Sequence, residues 1–408
     1  MLLVQEFLEK YSFKDLQEQH GVYASFSKSG HKFSLNYDQI EAKESDPLAQ
    51  ECRGLILAAV DGKSFTADTV MVNSKLSYDH ISPGKTTVLS RPLDRFFNYG
   101  QGACANINWN DPKLKILSKL DGTLCILYFD HFISKWCVAT RSAPDADIMM
   151  DNQVYSFRTL FEKALFDTVG VYFDGYTSNL DKEITYCFEL CSPLNNIVVK
   201  YSDYRITLIA ARSIIDFKEI DLDMIKSYGI PKVSAHTYTS VSELVDYVST
   251  FDPMKEEGVV AIDSNFNRIK IKSPSYVLYH RMRDTLAASP RNCLEAILLE
   301  ADDDALPFLP EDIVANLLKI KEGVKSLIST YDSKYAEIKS LSDAKFPGDK
   351  KTFALNVKAA SEKNKLWEAP LYKLFAGKAN NMHDFLLKNK SADGSFSNSF
   401  LDKILELI

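Results

Sequence analysis

The hydrophobic period of this chain changes once, near residues 272 to 276, and that change limits the folds open to it. Before it, short strand-like runs dominate: VYASFSK and KFSLNY around Ser29-Gly30, then RGLILAAV, KLKILSKL, TLCILYF, KWCVATR, EITYCFEL, NIVVKY, RITLIAA, EGVVAID and NRIKIK. A helical period interrupts them at residues 153 to 167 and 241 to 250. Irregular alternation of this kind predicts an α+β fold of antiparallel and mixed sheets and speaks against a doubly wound parallel sheet. From Ser275 onward the period becomes helical, as in PEDIVANLLKIKEGVKSLISTY, which Pro310 and two acids open. The expectation is an α+β domain over residues 1–273 and an all-helical domain over 274–408.

With 408 residues and 46% hydrophobic composition, the chain can bury a substantial core. Its first residues, MLLVQEFLEKYSF, are interrupted by Gln5, Glu6, Glu9 and Lys10, which suits an amphipathic helix and not a signal peptide. No run approaches the roughly 18 apolar residues of a membrane span. Seven cysteines form neither a C-x-x-C pair nor an even framework, so thiols serving as small core residues in a reducing cytoplasm are expected. The net charge of −7 advertises no nucleic acid, but its distribution is uneven. Residues Lys345 to Lys390 hold ten lysines, no arginine and four acids. That segment is either a solvated face or a contact for a polyanion.

One stretch, LKILSKLDGTLCIL, carries a lysine at the end of an apolar run, two residues before Asp-Gly. Two apolar runs joined around Asp-Gly predict a hairpin. On a period of two, Lys113, Lys115, Leu117 and Lys119 share one face, and Leu114, Ile116, Ser118 and Leu120 share the other. By itself Lys119 reads as a solvated strand residue.

Five motifs in a fixed order weigh against that reading: ECRG (Glu51 to Gly54), RPLDRFFN (Arg91 to Asn98), KLDG (Lys119 to Gly122), CFELCSPLNNIVV (Cys187 to Val199) and EGVVAID followed by RIKIK (Glu257 to Lys272). This order resembles the covalent nucleotidyltransferase superfamily, and most closely the T-even phage RNA ligase 1 family of ATP-dependent RNA ligases. KIKS with Tyr276 following completes the match, which covers roughly the first two thirds of the chain. The resemblance implies that Lys119 becomes adenylylated. It implies ATP contacts from Arg53, Arg95, Gly122, Arg141, Glu257, Lys270 and Lys272, and divalent-metal contacts from Glu189 and from Asp303 in the run Asp302, Asp303, Asp304. The metal it implies is magnesium, with manganese as an alternative. The sequence departs from the family at several of these positions: Arg95 and Arg141 stand where lysine is usual and keep the charge. Leu120 replaces an acid, and Leu35 in FSLNY stands where an aromatic contacts nucleotide; Thr123 in place of serine keeps the hydroxyl.

The chemistry agrees with these residue types. An amine nucleophile must lose its proton, and nearby cations favour the neutral form of a lysine while also holding a triphosphate. Phosphoryl-type transfer is mostly positioning and charge neutralisation. In KIK both lysines point to one face. The resemblance thus implies an ATP-dependent RNA ligase joining RNA 5′-phosphate and 3′-hydroxyl ends, with tRNA broken in its anticodon loop as the partner. A monomer is expected, with no membrane association, in a host cell's cytoplasm if the source is a phage. Two alternatives stay open: an inactive ligase-fold RNA-binding protein, and a nucleotidyltransferase acting on another nucleic-acid end.

Overall fold

The computed structural model describes the chain except for residues 73–74, 148, 150–153, 237, 239, 278, 281–288, 299–310 and 391–395. Contacts divide it into two units, Met1–Val277 and Leu278–Ile408. The first unit carries three sheets of four or five strands. One runs Val22–Phe26, Lys32–Tyr37, Arg53–Ala59, Thr86–Ser90, antiparallel throughout. The second runs Lys135–Thr140, Thr123–Asp130, Ile184–Cys191, Arg205–Ser213, Glu219–Ile220, also antiparallel. The third runs Ala235–His236, Lys115–Lys119, Gly258–Ile262, Arg268–Lys272, Phe97–Asn98, and its last pair is parallel.

Alternation along the strands decides what each sheet buries. Ile56, Ala58 and Leu89 of the first sheet share a core with Ile126, Tyr128 and Ala139 of the second. The second sheet also shares a core with the helix Phe157–Val169, through Leu160, Phe161, Ala164 and Leu165. Ser156 starts that helix by accepting the Thr159 N–H, and Gly170 ends it at φ +71°. In the third sheet Ile116, Val259, Ala261, Ile269 and Ile271 pack with Leu244 and Val248 of the helix Val241–Ser249. The residues between them, among them Leu117, Lys119, Val260, Lys270 and Lys272, line a cleft instead.

The second unit is helical: Pro290–Leu298, Glu311–Asp343, Lys350–Asn364, Glu368–Phe375, Met382–Leu387 and Asn398–Leu405. Leu294, Leu317, Leu327, Phe353, Leu371, Phe385 and Ile404 belong to its core. All seven cysteines are free, and six of them are buried. Among the described residues no helix is long and apolar enough to cross a membrane.

Three local expectations are corrected. The strands on either side of Asp121-Gly122 do not form a hairpin: Lys115–Lys119 pairs within the third sheet and Thr123–Asp130 within the second. The Asp121 carboxylate does not close a turn but reaches across the fold, accepting the Val198 and Val199 N–H groups, both at 2.8 Å, and the Tyr276 hydroxyl at 2.7 Å. For the same reason NIVVKY is not a strand, since two of its backbone donors are spent on that carboxylate. The N-terminal helix stops at Leu8, and Ser12 caps a second one, Phe13–His20, through a capping box with Asp15.

Candidate active site

The register of the third sheet builds the site. Gly258 lies opposite Lys119 on one side and Lys272 on the other, so the two lysines share one row across three strands. Val260 likewise lies between Leu117 and Lys270. Glu257, just before Gly258, joins the row: Oε2 accepts from Lys119 Nζ at 2.5 Å and Oε1 from Lys272 Nζ at 2.8 Å. A Cβ on Gly258, whose φ is +152°, would sit 2.2 Å from the Ile271 carbonyl oxygen. Only glycine lets the strands approach this closely.

Across the cleft, Glu189 on the strand Ile184–Cys191 accepts the Gly122 N–H at 3.1 Å. A Cβ on Gly122 would lie 2.3 Å from the Leu190 carbonyl oxygen, so KLDG needs glycine for close passage under that strand. Asp121, held by Val198, Val199 and Tyr276, fixes the loop that follows Lys119. The cleft has a cavity volume of about 160 Å³, and Arg53, Phe96, Lys119, Glu189, Arg268, Lys270 and Lys272 are among the residues lining it.

Its charges are only partly matched. Nη1 of Arg53 is buried without a hydrogen-bond partner, which is costly unless an anion arrives. Burial, aided by Arg53, Lys119 and Lys272, brings Lys270 down to about 7. Burial opposes ionisation of Glu257, yet Lys119 and Lys272 hold its carboxyl below the ordinary value. Glu189 is pushed up to about 7, chiefly by burial. A divalent cation fits there, because it would hold that carboxylate ionised. No group of three or more His, Cys, Asp or Glu side chains converges among the described residues.

Lys270 gives the site a pH signature. Between pH 10.5 and about 7 the unfolded chain binds a proton at this lysine that the folded, nucleotide-free protein does not, so stability is lost as pH falls through that window. Lys270→Met should flatten the melting temperature over the same window. An unchanged slope in scanning calorimetry would contradict the assignment.

Lys119, Arg53, Glu189, Lys270 and Lys272 thus line one cleft, with Glu257 bonded to two of its lysines and Gly122 bonded to Glu189. Arg95 does not line it. Its guanidinium lies 4.3 Å from the Tyr37 ring centroid and donates to the Ala42 carbonyl, in a neighbouring depression that shares Phe96 and Arg268 with the cleft. Arg141 lies over Tyr37, lining a third depression. Leu120 lines the cleft, whereas Leu35 is fully buried in the first sheet's core. Asp303 lies outside the described residues, as do Asp302 and Asp304. Sequence reasoning missed Phe96, whose ring centroid is 4.5 Å from Lys270 Nζ, 5.5 Å from Arg53 Cζ and 5.6 Å from Arg268 Cζ. Its signal was the RPLDRFFN run, but which of two adjacent phenylalanines faces the cleft depends on packing.

A lysine amine set among cations, facing a buried carboxylate between two sheets, is suited to holding the phosphates of a nucleotide. The RNA ligase family of the T4 type matches residues 51–276, more than half of the chain, and the chain belongs to that family. Two relatives were found by sequence. A protein described as a bifunctional polynucleotide kinase/RNA ligase, from Autographa californica nuclear polyhedrosis virus, is 26% identical over 68% of this chain and 37% of its own length. An RNA ligase of Rhodothermus phage RM378 is 27% identical over 66% of this chain and 74% of its own. The chain therefore spans little more than a third of the viral relative. An archaeal ATP-dependent RNA ligase structure aligns over 97% of this chain and 94% of its own at 13% identity and a TM-score of 0.42.

Proposed function

We propose that the protein is an ATP-dependent RNA ligase in which Lys119 is the nucleophile. The observation that carries this reading is the row Lys119–Glu257–Lys272, with Lys270 and Arg53, whose Nη1 has no hydrogen-bond partner, beside it in one cleft. In the first step the Lys119 amine forms a bond to the α-phosphorus of ATP, the bond from that phosphorus to the pyrophosphate oxygen breaks, and the amine loses a proton. An RNA 5′-phosphate oxygen then takes the AMP, breaking the P–N bond and freeing the lysine. Last, an RNA 3′-hydroxyl oxygen attacks the activated 5′-phosphorus, AMP departs and the hydroxyl proton is released.

Arg53, Lys270 and Lys272 hold the phosphates and neutralise charge that builds on their oxygens. Glu257 positions Lys119 before nucleotide binds, and the ribose hydroxyls compete for its oxygens afterwards. Magnesium, or manganese in its place, would sit at Glu189 and supply further charge neutralisation. Arg95 and Arg141 border the cleft's neighbours and reach a bound nucleotide only if its phosphates extend past Phe96 or Tyr37. By family resemblance the substrate is a tRNA nicked in its anticodon loop, and the ten lysines of the Lys345–Lys390 segment, all exposed, support contact with a polyanion.

Incubation with α-labelled ATP and magnesium, then a denaturing gel, should leave label on the protein. Added tRNA with a broken anticodon loop should be joined faster than an unstructured RNA of equal length. Equal rates would remove the tRNA reading; an unlabelled protein would remove the ligase reading.

A further inference from the structure

In the helical unit, the helices Glu311–Asp343 and Lys350–Asn364 form a hairpin. Asn356 Nδ2 donates to Ser342 Oγ at 2.9 Å, which aligns the two helices near their junction. The connecting turn is firmly built. The Phe346 N–H donates to the Ser342 carbonyl at 2.9 Å, the Gly348 N–H to Asp343 Oδ1 at 3.0 Å, and the Thr352 N–H to Asp349 Oδ2 at 2.8 Å. Gly348 takes φ +71°.

This rigid turn displays what a helical hairpin normally hides. Phe346 is 64% exposed, with Leu341 at 56% and Leu355 at 62% on the two flanking helices, while Phe353, half a turn inward, is buried. Lys345, Lys350, Lys351 and Lys358 are all exposed around them. The acids of the turn are already committed: Asp343 bonds Lys339 at 2.9 Å as well as the Gly348 N–H, and Asp349 is bonded to Thr352. Asp349 also interacts electrostatically with Lys351, but these lysines stay exposed to solvent.

We propose that this hairpin tip is an RNA contact in which Phe346 stacks on an unpaired base while Lys345, Lys350 and Lys351 neutralise the phosphates beside it. The inference rests on the ligase reading above and deepens it by placing part of the RNA surface. A single ring set among lysines matches the footprint of one base and its neighbouring phosphates. A membrane-binding helix instead needs a long apolar stripe. Stacking also requires a base whose face is free, which a loop offers and a duplex does not.

The test uses the full-length protein with two probes, a hairpin RNA with an unpaired loop and a fully paired RNA of the same length, in fluorescence anisotropy. Phe346→Ala should weaken loop binding roughly tenfold, leave the duplex unaffected and leave self-labelling by ATP unchanged; Phe346→Tyr should restore loop binding. Changing Lys345, Lys350 and Lys351 to Gln should make the salt dependence on the loop RNA shallower by about 0.7 per lysine. Loop binding indifferent to Phe346→Ala overturns the proposal. So does Phe346-dependent capture by phosphatidylserine vesicles without an effect on RNA. Binding is read without catalysis, so failure of the tip is distinguished from failure of the ligase reading, which appears as an unaltered protein that takes no label from ATP.

Discussion

Lys119→Ala is expected to abolish covalent labelling by ATP, a loss of roughly 10⁴-fold or more, as befits removal of a nucleophile. Joining of RNA with an ordinary 5′-phosphate should disappear with it. The same variant should still seal RNA adenylylated beforehand, within about tenfold of the unaltered protein, because the lysine carries AMP through the first two steps and takes no part in the last. Folding should persist: Glu257 keeps Lys272 as its partner at 2.8 Å, so the substitution strands no buried charge. Labelling and melting temperature measured together separate these outcomes. Persistent labelling would remove Lys119 from its role, and loss of sealing of pre-adenylylated RNA would mean that it also serves the last step.

The second large effect is expected at a residue with no side chain. Gly258→Ala forces a methyl group to within 2.2 Å of the Ile271 carbonyl oxygen at a φ of +152°, a combination that costs about 2–4 kcal/mol in strain and overpacking. Relief requires the strands Gly258–Ile262 and Arg268–Lys272 to separate, which pulls Lys272 and Glu257 out of the row that holds Lys119. Both the melting temperature and the rate of adenylylation should fall, the latter by about a hundredfold. Gly102→Ala is the control, since a Cβ there meets nothing within 4 Å. Equal behaviour of the two variants would show that the close strand approach is not required.

Much of this site was legible because a sheet repeats every two residues. That period put Lys119 with Leu117 and Lys270 with Lys272 on the faces where the structure has them, and the family resemblance pointed to Glu189 and Glu257. What escaped depends on contacts distant in sequence. Asp-Gly carries a strong local preference for a turn, but the Asp121 carboxylate meets backbone donors 77 and 78 residues away, and those outweigh the preference. Leu35 drew notice as a missing aromatic, although it faces the core; two residues on, Tyr37 supplies a ring over which the Arg95 and Arg141 guanidinium groups lie. Arg95 itself shows the limit of carrying a motif across: the positive charge is retained with arginine in place of lysine, while cation–π contacts with Tyr37 and Phe97 set its position. The change of period near residue 272 signalled the helical unit, but nothing in that period distinguishes the exposed Phe346 from the buried Phe353.

The central claim is that one particular amine carries the nucleotide. Treating the full-length protein with ATP and magnesium in the absence of RNA, digesting it, and mapping AMP by tandem mass spectrometry tests this directly. The account predicts a single AMP adduct, on the peptide that contains Lys119 and at its Nζ. An adduct on Lys270 or Lys272 instead, or a protein that binds ATP without forming any adduct, would contradict it.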